Sequence, residues 1–237
     1  MCGRYVTPDE AALEREYHVG RDRATHRLVR NLEAYSQSFN VAPTQDVPVI
    51  RVVRDVRGQR EVVAMRWGLV PFWAKGEAPK YATFNATIEK LETAPAWRGP
   101  WKRGQRCIMP AAGFYEWHVL PDGGKVPYFV RPSADDTTFA IAALWDESIA
   151  ADGRSILSST IITMPANELM ANIHNTKTRM PAILRHEDIE SWLTGTPEQA
   201  KSVLKQFPAD EMIAWPVSKR VNAARNQGPE LIEEVEY

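Results

Sequence analysis

The sequence predicts an α+β fold: a single domain with a mostly antiparallel, barrel-like β-sheet and peripheral helices. Three observations lead there. Strand-like runs follow one another directly, without the regular βαβ alternation of a parallel sheet. Helical patterns are short. A chain of 237 residues, 44% hydrophobic and 25% charged, can bury one sizeable core. No internal repeat, low-complexity tract or Pro/Ser-rich linker divides it. Residues 1–237 therefore read as one domain, with a core over about 1–217 and a C-terminal tail over 218–237.

Each element has its own signal. Thr7-Pro8-Asp9-Glu10 reads as a capping box with Pro at the first helical position, so a helix runs from there to about residue 19. Residues 21–38 are polar and irregular and read as a loop. The β-branched runs 47–56 and 61–69 flank Arg57-Gly58-Gln59 and predict a hairpin. Further strands are expected at 106–109, 113–119, 128–131, 138–145 and 156–163, with turns at Gly123-Gly124 and Asp152-Gly153. Short helices fit 166–173, 186–193 and 197–206. Another runs through 87–92, and capping it is the simplest reading of Asn85.

Several function classes are excluded by what is missing. Two cysteines, Cys2 and Cys107, cannot make a disulfide framework and fit a reducing compartment. The N-terminal segment has no apolar signal region, and no run approaches the ~18 apolar residues of a membrane span, so a cytoplasmic protein is expected. There is no CxxC pair or HExxH, and the five histidines lack ligand spacing, so no metal is expected. Without a G-x-G-x-x-G or Walker loop, no nucleotide cofactor is expected either. A net charge of −1 carries no message about nucleic acid. Residues 97–106, however, interleave four basic residues with two tryptophans, as does a surface that holds phosphates and stacks bases. A solvated loop anchored by packed Trp has the same composition.

Cys2 follows Met1 directly. With Met1 removed it carries an α-amine with a pKa near ~8 beside a thiol near ~8.5. An amine condenses with an aldehyde to a Schiff base, and a neighbouring thiol closes that imine into a thiazolidine. A small buried hydrophobe is the plainer reading of the same residue. Glu116 lies in the aromatic run Gly113-Phe114-Tyr115-Glu116-Trp117, where alternation puts Phe114, Glu116 and His118 on one face. Aromatic surroundings raise a carboxyl pKa unless it is paired, which suits a general acid/base; an Arg-satisfied structural Glu is equally compatible. His174 ends an apolar helix and precedes a Lys/Arg-bearing loop, as either a proton carrier or a C-cap.

Taken in order, these segments resemble the SOS-response-associated peptidase (SRAP) family, the abasic-site-processing proteins. The resemblance rests on MCGRY at 1–5, FNVAPT at 39–44, RWGLVP at 66–71 followed by Trp73, FNATIE at 84–89, RCIMPAAGFYEW at 106–117, the 160–163 strand and RMPAIL at 179–184. It spans residues 1 to about 217. It implies covalent capture of the ring-opened abasic-site aldehyde in single-stranded DNA as a thiazolidine crosslink, with autopeptidase-type exposure of Cys2 and crosslink reversal, a hydrolase–lyase chemistry. It implies that Asn85 orients the Cys2 amine and sugar, that Glu116 manages imine protons, and that His174 assists ring opening and reversal. Arg4, Arg179 and Thr163 would hold phosphates, while Pro43, Trp67 and Trp117 pack beside splayed bases. The implied partner is single-stranded DNA with abasic sites, single-/double-strand junctions included, bound by a cytoplasmic monomer found with the nucleoid at damaged DNA.

Two departures stand out. Thr87 occupies a place where the family often has Arg. His174 lies five residues before Arg179, where many members have two, so His186 is a fallback and Lys177 or Thr178 can take DNA contacts. Two other classes compete: an N-terminal-nucleophile amidohydrolase using Cys2 against an amide, and a noncovalent single-strand DNA-binding module.

Overall fold

Five largely buried strands close on one another at the centre of the molecule, which the computed structural model describes at residues 2–21, 28–31, 34–53, 59–135 and 137–237. In chain order the described elements begin β1 (Tyr5–Val6), α1 (Glu10–Tyr17), β2 (Val29–Arg30), β3 (Asp46–Val52), β4 (Arg60–Trp67), β5 (Asn85–Thr87) and α2 (Arg98–Lys102). They continue with β6 (Arg106–Ala111), β7 (Gly113–Val119), β8 (Lys125–Pro132), β9 (Phe139–Ile149), β10 (Ser155–Pro165) and α3 (Glu168–Ile173). The last are β11 (Arg179–Pro181), β12 (Ile183–Leu184), α4 (Ile189–Thr194), α5 (Pro197–Ser202) and β13 (Met212–Pro216).

β3 pairs antiparallel with β4 and meets β6 where Ile50 faces Ile108. β6 pairs with β9 and β9 with β10, and β10 returns to β4 in parallel with Ser158 opposite Arg66. The ring is a five-stranded barrel, so these strands pair with one another instead of leaving an open edge. Val49, Met65, Met109, Ala143 and Ile161 are all essentially inaccessible. Burying each of the larger ones is worth roughly 1.5–3 kcal/mol. A second, antiparallel sheet runs β1-β7-β8-β13. The mostly antiparallel barrel is as expected; the parallel exceptions are β10 with β4 and β5, and β2 with β4.

Several local expectations are corrected. α1 is capped by Asp9, whose carboxylate accepts from Ala12 N at 2.7 Å, while the Thr7 hydroxyl accepts from Ser38 N instead. Both residue types cap well, and the hydroxyl is drawn off by the neighbouring chain. The stretch 21–38, read as loop, contains β2 among its described residues. Residues 57–58 of the expected hairpin turn lie outside the described residues. Asn85 is in a strand and caps nothing: 88–90 form one 3₁₀ turn behind Thr87. The expected helix 186–193 divides into a 3₁₀ turn and α4, and α5 ends at Ser202 behind a Thr196/Gln199 capping box.

Residues 218–237 are packed against the domain. Val221 and Leu231 are fully buried. Asn40 Nδ2 donates to the carbonyls of Val221, Ala223 and Asn226 at 3.0–3.1 Å, and Trp215 Nε1 donates to Ile232 O. Such backbone carbonyls leave no mark in a hydropathy pattern, which is why the segment reads as a tail.

Candidate functional site

The N-terminal segment is held along its length by backbone bonds. Tyr5 and Val41 exchange them, Tyr115 N donates to Arg4 O at 3.0 Å, and Ala112 N to Val6 O at 2.9 Å. Tyr5 faces Phe114 across the β1–β7 pair, and Val6 faces Gly113. Glycine is required at 113, since a Cβ there would collide with the Phe129 ring and the Val130 carbonyl. Cys2 is thereby fixed against the main core with 2% of the residue exposed. Its Sγ–H reaches Arg4 O at 3.7 Å. Burial, and then the charge of Glu116, push the thiol pKa up, so the sulfur is held as S–H.

Two expected partners meet Cys2. β5 lies parallel to β10 with Asn85 opposite Ile161, and Asn85 Nδ2 donates to Cys2 O at 2.9 Å. Its Oδ1 is buried and has no partner among the described residues. Glu116 is 2% exposed on β7. Phe114, on the same face, belongs to the main core, whereas Tyr115 and Trp117 pack in the smaller cluster on the other side. Burial raises the Glu116 carboxyl to about 7, opposed by a hydrogen bond from the Trp117 backbone. That value suits a group that must both give and take a proton at neutral pH.

The five-residue separation of His174 and Arg179 is absorbed by a turn. Thr178 N donates to His174 O at 2.9 Å, with Thr178 in the left-handed region at φ 47°. The imidazole Nδ1 lies 3.0 Å from Arg179 O. A carbonyl only accepts, so Nδ1 carries the proton and Nε2 is the basic nitrogen. Burial lowers the His174 pKa, leaving the ring neutral at pH 7. The Asn175 side chain exchanges two hydrogen bonds with the Val119 backbone, and His118 Nδ1 meets Asn172 O at 2.8 Å. Both clamp the end of α3 onto β7, the strand that bears Glu116. His186 is exposed, edge-on to His18, and does not join this group. Lys177 and Thr178 are exposed.

The residues expected on DNA divide. Arg4 is half-buried, donating through Nη2 to Asn222 O at 3.3 Å, and desolvation lowers its pKa. Trp117 is half-buried, with Nε1 donating to Asn222 Oδ1 at 2.9 Å. Pro43 is half-buried in a turn whose Thr44 N donates to Trp67 O. Arg179 meets Glu89 through two hydrogen bonds, at 2.7 and 3.1 Å, and Thr163 O at 2.6 Å. Trp67 and Thr163 are corrections. Trp67 is wholly buried, edge-on to Tyr5 and Phe84 with Nε1 on Phe84 O, so it offers no face to a base. Thr163 is buried with its hydroxyl donating to Ala86 O; only its carbonyl faces the site, where it steadies Arg179.

Residues 97–106 lie elsewhere. Trp101 is packed, while Arg98, Lys102 and Arg103 border a groove of about 1090 Å³ with the exposed Phe72 and Trp73. Arg103 is tied to the buried Asp146, which lies opposite Ser158 on β10. Ser158 is five residues from Thr163, or ~16 Å along the strand. Spacing alone missed Glu89 and Asn222. Glu89 stands inside the quoted FNATIE motif and could have been found there; Asn222 has no local signal. Among the described residues no group of His, Cys, Asp and Glu could hold a metal ion, and no helix is long and apolar enough to cross a membrane.

Buried polar side-chain atoms without partners among the described residues occur across the molecule, Asn40 Oδ1 and Arg106 Nη1 among them, and some lie on or beside the N-terminal segment. Arg4 Nε, Tyr5 Oη, Asn85 Oδ1 and Arg179 Nε have none among the described residues. Each such atom costs about 1–3 kcal/mol in a folded protein unless water or a ligand meets it.

Known proteins share this architecture. A protein from Bacteroides thetaiotaomicron has a solved structure that superposes with a TM-score of 0.82 at 26% identity, covering 99% of this chain and 100% of its own. One from Bordetella bronchiseptica superposes at 0.77 and 26% identity over 92% of this chain. In sequence, "Abasic site processing protein YoqW" of Bacillus subtilis is 39% identical over 202 residues, 84% of this chain and 87% of that one. "Abasic site processing protein HMCES" of Gallus gallus is 31% identical across 100% of this chain and 78% of its own length. A family model described as SOS response associated peptidase (SRAP) matches residues 1–224, and the chain belongs to that family.

Proposed function

We propose that this protein processes abasic sites in DNA by covalent capture, with Cys2 as the nucleophile once the residue before it is removed. The single observation that carries the proposal is the grouping of Cys2 with Asn85, whose Nδ2 bonds its carbonyl and whose Oδ1 has no partner among the described residues, and with a Glu116 carboxyl raised to about 7 by burial. The names of its relatives point to the same substrate. The freed amine attacks C1 of the ring-opened sugar. The carbinolamine loses water to give an imine, and Sγ–H then adds across C=N: sulfur bonds to carbon and the thiol proton ends on nitrogen. No oxidant or reductant is required. Asn85 Oδ1 accepts from the amine or a sugar hydroxyl, Glu116 protonates the departing hydroxyl, and a thiol held protonated suits an addition that consumes its proton. Neutral His174, through Nε2, draws a proton from the sugar hydroxyl during ring opening and during reversal. Arg4 and Arg179 hold flanking phosphates, for which Glu89 stands in when the site is empty, and Trp117 and Pro43 bear on the adjacent bases.

Denaturing electrophoresis after incubation with a single-stranded oligonucleotide carrying one abasic site tests this. A retarded band is expected from the processed protein and none from Cys2→Ala; absence of the band with processed wild type would sink the proposal. Glu116→Gln should form the band at least tenfold more slowly, as expected for loss of a general acid, with binding retained. His174→Ala should form it and release it more slowly.

A further inference from the structure

The geometry points to Asn222 as a positioning residue for the DNA-facing side chains, and we infer that it fixes Trp117 and Arg4 in the poses in which they meet the strand. This rests on the reading of the site as a DNA site. Asn222 is exposed, at the end of a 3₁₀ turn (Lys219–Asn222), far in sequence from everything it touches. Its amide oxygen accepts from Trp117 Nε1 at 2.9 Å, and its backbone oxygen accepts from Arg4 Nη2 at 3.3 Å. One residue thus holds the indole ring of Trp117 on β7 and the guanidinium of Arg4, two residues from Cys2. The turn itself is rigidly mounted: Val221 is fully buried, and Asn40 grips the carbonyls of Val221 and Ala223.

The effect belongs to the complex. In the free protein an indole N–H at this exposed edge bonds to water nearly as well as to Asn222. A base stacked on Trp117 displaces that water. With Asn222 present the donor is already satisfied and the ring already oriented. Without it the donor is left unpaired, or the ring turns away from the base. Arg4 keeps its acceptor in Asn222→Ala, because that bond runs to the main-chain oxygen, so the substitution isolates the hold on Trp117.

A double-mutant cycle decides the matter. Binding of the abasic oligonucleotide is measured by fluorescence anisotropy in a Cys2→Ala background, which cannot crosslink, for Asn222→Ala, Trp117→Phe and the pair. Trp117→Phe keeps an aromatic face but has no N–H to place. Asn222→Ala should weaken binding about three- to tenfold, the range of one hydrogen bond kept dry in the complex. In the Trp117→Phe background the same change should weaken binding less than twofold. In crosslinking assays with Cys2 intact the loss should fall on the half-saturating DNA concentration, not on the rate at saturation. Equal losses in both backgrounds, or none in either, overturn the inference. Coupling in the Cys2→Ala background together with no crosslinked band from processed wild type would keep the inference and reject covalent capture instead.

Discussion

Glu116 shows at the scale of one residue what the site asks of the fold. Its carboxyl is raised from 4.5 to about 7 because burial disfavours the charged form. The folded state then holds a proton that the unfolded state has released between those two values. Stability from this group is therefore unaffected below about pH 4.5 and is lost as pH rises towards 7. The full loss is at most ~3 kcal/mol, from 1.36 kcal/mol per pKa unit. Glu116→Gln removes the ionisation and nearly keeps the shape. It should melt with wild type at pH 4.5 and several degrees above it at pH 8; coincident curves at both pH values would contradict the assignment. The same residue was readable from its neighbours: period-two alternation in an aromatic run puts a carboxyl on an inward face. Trp67 was not. A Trp beside a Gly in a polar-flanked motif looks the same whether it serves as a stacking platform or as core, and only the enclosing Tyr5 and Phe84 rings decide.

At the scale of elements, strands were more legible than the ends of helices. β7 runs over Gly113–Val119 as alternation predicts, because one face must reach the main core and the other the smaller apolar cluster. Helix starts are set by which of two neighbouring capping residues wins, and that is a tertiary matter. At α1 Thr7 is engaged by Ser38 N, so Asp9 caps. Asp9→Ala should therefore cost about 1 kcal/mol in chemical denaturation, the usual worth of an N-cap. Thr7→Ala should leave the helix intact and disturb only its bond to residue 38; if it instead removes helical circular dichroism, the cap is misplaced. The His174–Arg179 turn belongs to the same lesson. Sequence separation alone suggested that the His had been carried away from the Arg, whereas the turn closes on itself and returns Nδ1 to Arg179 O.

For the molecule as a whole, the barrel was largely visible in the sequence, and the closing segment was not. Long-range pairing of backbone carbonyls with Asn40 has no local signature. Ending the chain after Val217 removes Val221 and Leu231 from the interior, each worth roughly 1.5–3 kcal/mol, and strands Asn40 Nδ2 and Trp215 Nε1. A domain is stable by only about 5–15 kcal/mol, so the shortened protein should lose cooperative melting or become insoluble. A midpoint within a few degrees of the full chain would show that the segment is dispensable. Its position also sets a timetable. Arg4 and Asn222 are 218 residues apart in the chain yet bonded in the fold. At synthesis rates of ~5–20 residues per second, the first strand waits on the order of ten to forty seconds for the turn that braces it. Under the proposed capture, Cys2 therefore gains its fully braced site only after residue 222 has been made.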